Sequence, residues 1–328
     1  MQAAWYERLG AAGEVLQVGE TPTPSPGRGE VLVRVACSGV NPSDAKTRAG
    51  LRGGDIPYPR VIPHCDGAGI VEAVGEGVDR GRLGERVWLW NAAWGRAFGT
   101  AAQYVALPGE QAVPLPASID FAEGACLGVP ALTAYHSVCS HDGVAGANVL
   151  VTGGAGAVGF YAIQIAKLKG AGLVVATVSG PEKAVLAAAA GADVVVNYRD
   201  QDVVAACVEA TDAAGIDRII DVDVSANIAA DLAVLRPNGR IVAYGSNAPE
   251  VPVPFVPAIM TAATLQFFIV YKLAKKDRNE AIGDLTAWLQ AGQIRHNVAE
   301  RLPLERIVDA HEAIESGRLV GQIVLEID

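Results

Sequence analysis

Asn148-Val149-Leu150-Val151-Thr152-Gly153-Gly154-Ala155-Gly156-Ala157-Val158-Gly159 reads as a short apolar strand that breaks into glycines at fixed offsets and then feeds a helical pattern over 160–169. Such a turn cradles a dinucleotide. Gly153 permits the tight turn, Gly156 lets backbone come close to a pyrophosphate, and Gly159 lets the helix sit on the sheet with its N-terminal N–H groups and dipole facing the anion. A second strand, Leu173–Val178, follows within one βαβ length, which is the context this glycine pattern requires. Further parallel strands are expected at 193–197, 217–222, 240–245 and 265–270. Six strands make a doubly wound α/β sheet of Rossmann type. Gly170 and Gly191 suit the left-handed position that closes a helix, and Pro181 fits the first turn of a helix over 181–190.

The end of the second strand narrows the cofactor. An NAD site usually places Asp or Glu there, on the adenosine ribose hydroxyls. This chain has Ser179, followed by Gly180, Pro181, Glu182 and Lys183, and Tyr198 and Arg199 stand after the third strand. A carboxylate would repel a 2′-phosphate, whereas a hydroxyl beside Lys and Arg would attract one. NADPH is therefore the expected cofactor. Lys183 also reads as a solvated residue in the first turn of its helix, and Tyr198 as a strand-end aromatic.

The rest of the chain frames this motif. At 328 residues, 51% of them hydrophobic, the sequence can fill two cores. Its first third carries β signals at 31–36, 69–74, 86–90 and 103–107, separated by Gly, Pro and Asp clusters, and predicts a compact β domain. The last segment predicts helices at 281–289 and 307–314 and a closing strand at 321–327 that returns to that domain. A net charge of −10 argues against nucleic acid or an anionic membrane as the main partner. Five scattered cysteines without a CxxC suggest a reducing compartment, the cytoplasm. No secretory signal is expected at the N-terminus, and the prolines at 252, 254 and 257 spoil the one other long uncharged stretch as a membrane span.

Several motifs in order carry a resemblance over essentially the whole chain: Gly39-Val40-Asn41-Pro42-Ser43-Asp44 with Arg48-Ala49-Gly50, Asp66-Gly67-Ala68-Gly69-Ile70-Val71 with Val74-Gly75, Gly84-Glu85-Arg86-Val87, and Thr133-Ala134-Tyr135. The sequence resembles the zinc-independent medium-chain dehydrogenase/reductases of the quinone oxidoreductase, zeta-crystallin-like type. The resemblance implies a GroES-like catalytic domain, 1–122 plus 271–328, split around a Rossmann NADP-binding domain, 123–270, with the active site in the cleft between them and a homodimer as the default assembly. It places Ala155, Gly156, Ala157 and Val158 at the pyrophosphate, and Ser225, Ala243, Tyr244, Gly245 and Ser246 at the sheet's carboxyl edge. Thr133 and Phe268, Ile269 and Val270 would lie near the nicotinamide, the last strand often forming the subunit contact.

The same resemblance bears on metal. In the related zinc alcohol dehydrogenases the catalytic ion is held at positions that fall here on Asn41, Cys65 and Val129, and two of these three cannot ligate it. No zinc is expected, and His64 beside Cys65 reads as structural. Without a Lewis acid, oxidation of a plain alcohol loses its usual alkoxide stabilisation, while reduction of a quinone or conjugated enone remains feasible. The expected reaction is hydride transfer from NADPH to such an acceptor. Asn41 is implied near the nicotinamide ribose or acceptor carbonyl, and it equally forms an Asx turn ahead of Pro42. Lys46 stands where many relatives have Tyr, and could place a positive charge or a proton by the developing oxyanion. It also reads as an exposed lysine on a short helix over 43–48. Tyr58, Trp90 and Trp94 are candidates for lining an apolar acceptor pocket. Two other readings stand beside this one: a zinc-type alcohol dehydrogenase, and a non-enzymatic binder of nucleotide or RNA.

Overall fold

Valines at alternate positions of Glu30–Val40 give this strand one continuous buried face, with Val31, Val33 and Val35 almost completely shielded. The computed structural model describes every residue except 318 and 328 and divides the chain into two compact units, Met1–Val129 with Asp284–Asp328, and Pro130–Gly283. In the first unit Glu30–Val40 is the spine of a seven-stranded sheet. The order is Val298–Pro303, Gln322–Glu326, Glu30–Val40, Asp66–Val74, Arg86–Leu89 and Ala112–Pro114, with Tyr104–Pro108 also pairing on Glu30–Val40. The spine runs to Val40, further than the expected 31–36, because Gln322–Glu326 pairs with its second half in the register Ile323↔Val40. Asn41-Pro42 then ends it, and Pro42 opens the helix Pro42–Arg48. Across the sheet, Gly39 pairs with Asp66, the first residue of the antiparallel neighbour, which brings Asp66 beside Asn41.

The second unit is the doubly wound sheet. Its elements are β1 (Asn148–Val151), α1 (Ala157–Leu168), β2 (Leu173–Val178), α2 (Pro181–Ala189), β3 (Val194–Asn197), α3 (Val203–Ala210), β4 (Ile216–Asp221), α4 (Val224–Val234), β5 (Leu235–Ala243), α5 (Phe255–Met260) and β6 (Thr264–Phe267). All pairings are parallel, in the order β3-β2-β1-β4-β5-β6, so the order reverses between β1 and β4, where such sheets open a ligand crevice. Gly170 and Gly191 close α1 and α2 at φ +80° and +106°, as their positions predicted.

Two strands depart from the expected bounds. β5 begins at Leu235, which pairs with Ile216 before a register shift, and it stops at Ala243. β6 stops at Phe267 and the chain turns into the 3-10 turn Val270–Lys272, so Phe268, Ile269 and Val270 lie beyond the strand and not within it. The apolar run there reflects burial of Val270 in the turn. Among the described residues no helix is long and apolar enough to cross a membrane.

Candidate active site

The glycine turn after β1 is built as a cradle. Gly153 sits at φ +66°, a conformation that a side chain would strain, and its N–H donates to Thr177 Oγ1 at 3.2 Å, while Gly154 N–H donates to Thr177 O at 2.9 Å. Gly159 has no room for a side chain, since a Cβ there would lie 2.3 Å from Gly153 O. Gly156 caps α1 with backbone only. The first-turn N–H groups of Ala157, Val158 and Gly159 therefore have no acceptor within the helix, the chemistry that suits an anion at a helix terminus. A pyrophosphate fits this chemistry.

At the end of β2, Lys183 Nζ donates to Ser179 Oγ at 3.0 Å, four residues apart across the first turn of α2. The pair that the sequence set side by side is thus in contact. Tyr198 and Arg199 follow β3 as exposed side chains, and Tyr198 is 51% exposed. No carboxylate occupies position 179, so the end of β2 presents a hydroxyl and an ammonium.

On the other side of the crevice, Thr152 Oγ1 donates to Asp221 Oδ1 at 2.8 Å and accepts from Val222 N–H at 3.0 Å, joining the ends of β1 and β4. Ser225 donates to Asp223, whose carboxyl also receives Asn247 N–H at 3.0 Å. Burial works against this carboxyl, yet the donors from Ser225 and Asn247 hold it below the usual range. Ala243 ends β5, and Tyr244, Gly245 and Ser246 continue along the edge. A Cβ on Gly245 would lie 2.1 Å from Val222 O, so the two strand ends abut there. Thr133 is buried on the helix Leu132–Cys139, one turn before His136, whose ring lies 4.5 Å from that of Phe268. The structure thereby links the Thr133 helix to the segment holding Phe268, Ile269 and Val270.

In the other unit, two buried carboxyl groups organise Asn41. Asp66 is fully buried, and its Oδ2 accepts both Asn41 Nδ2 and Val129 N–H, each at 2.8 Å. Asp44 accepts Asn41 N–H at 2.9 Å and a second backbone hydrogen bond from Cys65. The polar groups at positions 41, 65 and 129 are thus gathered by two carboxyls. Burial raises the Asp66 carboxyl well above the normal range and raises that of Asp44 to about 7, so both tend toward the neutral acid. Gly128 is needed for this packing, since a Cβ on it would meet Asp66 Oδ1 at 2.2 Å. Neither carboxyl was singled out from the sequence, although Asp66 directly follows Cys65 and Asp44 stands three residues after Asn41, the spacing of a capping box.

His64 is buried, with Nδ1 2.8 Å from Ser38 Oγ and Nε2 3.0 Å from His311 Nε2. Both ring nitrogens are engaged. Among the described residues no group of three His, Cys, Asp or Glu side chains is arranged to hold a metal ion. Lys46 lies half-buried on the helix Pro42–Arg48. Of the aromatic candidates, Tyr58 donates its hydroxyl to Gly95 O at 2.6 Å, Trp90 is buried, and Trp94 is 39% exposed.

Comparison with known proteins agrees with this architecture. The model of the alcohol dehydrogenase GroES-like domain matches residues 27–117, and that of the zinc-binding dehydrogenases matches 157–288. A quinone oxidoreductase of Lama guanicoe is 31% identical over 95% of this chain and 93% of its own. Among solved structures, an NAD-dependent alcohol dehydrogenase superposes with a TM-score of 0.92 at 29% identity, covering 100% of both chains. The Escherichia coli quinone oxidoreductase complexed with NADPH superposes with a TM-score of 0.87 at 28% identity, over 99% of this chain and 100% of that one.

Proposed function

This chain belongs to the medium-chain dehydrogenase/reductase family, and on that footing we propose that it is an NADPH-dependent reductase of quinones or conjugated enones that works without a metal ion. The observation that carries this reading is the Asp66 hub. Where related zinc enzymes hold an ion, Asn41 and Val129 here converge on one buried carboxyl, and their donors are aimed at it. An amide and a backbone N–H cannot serve as the anionic or imidazole ligands of a tetrahedral zinc site.

NADPH, when bound, supplies the hydride. The N–H groups at Ala157 and Val158 hold the pyrophosphate, and Lys183 with Ser179 receives the 2′-phosphate, supported by Tyr198 and Arg199. Ser225, Ala243, Tyr244, Gly245 and Ser246 line the crevice, and Thr133, Phe268, Ile269 and Val270 confine the nicotinamide end. Asn41 gives one amide hydrogen to Asp66, and its other orients the ribose or the acceptor carbonyl. Lys46 offsets the charge that develops on the acceptor oxygen, a role that positions and stabilises without a covalent step.

The working unit is a homodimer in a reducing cytoplasm. β6 is an edge strand with Phe267 60% exposed, and the neighbouring α5 leaves Phe255 and Met260 more than 70% exposed, the kind of apolar edge that a second copy covers. Among the described residues no disulfide joins any of the five cysteines. The test is NADPH oxidation by the purified protein against a panel of quinones and enones, with Lys46→Ala alongside. Turnover with at least one acceptor and a lower kcat in the variant are expected; no oxidation with any acceptor would overturn the proposal, and normal turnover by Lys46→Ala would remove Lys46 from the chemistry.

A further inference from the structure

A cleft of about 320 Å³ opens at the amino-terminal edge of the doubly wound sheet, the opposite edge from the cofactor crevice. It lies where the loop before β1 meets the beginnings of β4 and β5. Its charged and polar lining is Arg218, Arg236, Arg240, Asp142, Asp217 and Asn238.

The charges there do not balance. Arg218 and Arg240 are directly opposite in the β4–β5 register, so two guanidinium side chains leave the same face of adjacent parallel strands. Like charges placed in this way repel unless an anion lies between them. Arg218 is 5% exposed and donates only to neutral acceptors, the carbonyls of Ser137, Val138, Ser140 and Gly143 and the Ser140 hydroxyl. Burial, with the Arg240 charge behind it, lowers its pKa to about 10. The guanidinium of Arg240 has no hydrogen bond or ion pair among the described residues, and its Nε is buried without an acceptor.

The local acids offset this only in part. Asp217 is occupied on both oxygens, by Arg236 at 2.5 Å and by Asn148 N–H at 2.7 Å. Asp142 is exposed and forms no ion pair among the described residues, and its charge reaches Arg218 only through space, below burial and Arg240 in weight.

We propose that this cleft binds a small phosphomonoester-type anion on the guanidinium of Arg240, in the field of the buried Arg218 charge, at a site separate from the nicotinamide crevice. The open guanidinium fork of Arg240, with the buried charge of Arg218 behind it, suits the several acceptor oxygens of a phosphate better than a single carboxylate, and Arg is the residue that makes such paired contacts. The volume falls at the low end for small-molecule sites and leaves room for a small polar group behind the anion.

The test is isothermal titration of the full-length protein with inorganic phosphate and, in separate arms, with glycerol 3-phosphate and acetate. Saturable binding of phosphate or the ester is expected, with acetate at least about tenfold weaker because it offers fewer acceptors and less charge. Arg240→Gln is expected to weaken binding by about ten- to a hundredfold, the loss of a charge-assisted contact. Phosphate held at the N-terminus of α1 would not respond to that change. Asp142→Asn removes a competing negative charge and is expected to tighten binding severalfold, while Arg240→Lys, which keeps the charge and loses the fork, should weaken it severalfold. Those two variants decide the matter if Arg240→Gln fails to fold. Absence of saturable phosphate binding, or equal affinity in wild type and the Arg240 variants, would overturn the proposal.

Discussion

Replacing Asp66 separates two ways in which a buried carboxyl can hold its partners. Its Oδ2 accepts two donors, Asn41 Nδ2 and Val129 N–H, and the side chain is fully buried. Asp66→Ala leaves both donors without an acceptor. At about 1–3 kcal/mol for each orphaned buried group, the loss is about 2–6 kcal/mol before any cavity term. Asp66→Asn keeps a carbonyl oxygen in place, and because burial already favours the neutral acid, no charge is lost. Its expected cost is below about 1 kcal/mol. All five tryptophans, Trp5, Trp88, Trp90, Trp94 and Trp288, lie in the unit that holds Asp66, so their emission reports on the structure of that unit. With a urea m-value of about 2 kcal/mol/M, Asp66→Ala should lower the midpoint by about 1–3 M and Asp66→Asn by less than about 0.5 M. Equal losses in the two variants would mean that the donors require a negative charge and would refute the neutral hub. An unchanged midpoint in Asp66→Ala would refute the hub altogether.

Asp44 gives a pH-dependent counterpart. Its carboxyl rises from 3.8 to about 7 on folding, so between those values the folded chain keeps a proton that the unfolded chain releases. Its contribution is therefore fully present below about pH 4 and declines as pH rises to about 7, by at most roughly 4 kcal/mol, and Asp44→Asn should flatten that part of the stability profile. An identical profile in the variant would contradict the assignment. In the nucleotide unit, Gly159→Ala drives a methyl group to 2.3 Å from Gly153 O, a backbone atom that cannot rotate away. The turn must shift, at about 1–3 kcal/mol, and NADPH affinity measured by fluorescence titration should fall about tenfold or more. Lys183→Ala removes the ammonium that rests on Ser179, and should weaken NADPH about ten- to a hundredfold while leaving NADH nearly unchanged. Equal loss of both cofactors would show that Lys183 acts on the fold and not on the phosphate.

The glycine spacing after β1 was sufficient to read the tight turn and the close helix packing, because Gly153 and Gly159 are dictated by backbone conformation and close approach, which a local sequence records. The contact of Ser179 with Lys183 was legible for a similar reason, since four residues across a helical turn bring side chains together. Strand ends were less legible. The early start of β5 depends on pairing with Ile216, and the stop of β6 on the turn at Val270, both tertiary events. Asp66 was missed because its meaning comes from register: Gly39 places it beside Asn41, and Val129 reaches it from 63 residues away. The side-by-side arginines, Arg218 and Arg240, were equally invisible, since 21 intervening residues separate partners that only the parallel sheet aligns.

The most direct test of the central claim is quinone-dependent NADPH oxidation by a preparation whose zinc content is measured by mass spectrometry. The carboxyl hub predicts full turnover at well below about 0.1 zinc per chain and no change after treatment with a chelator. Activity that rises in proportion to bound zinc and disappears with the chelator would contradict it.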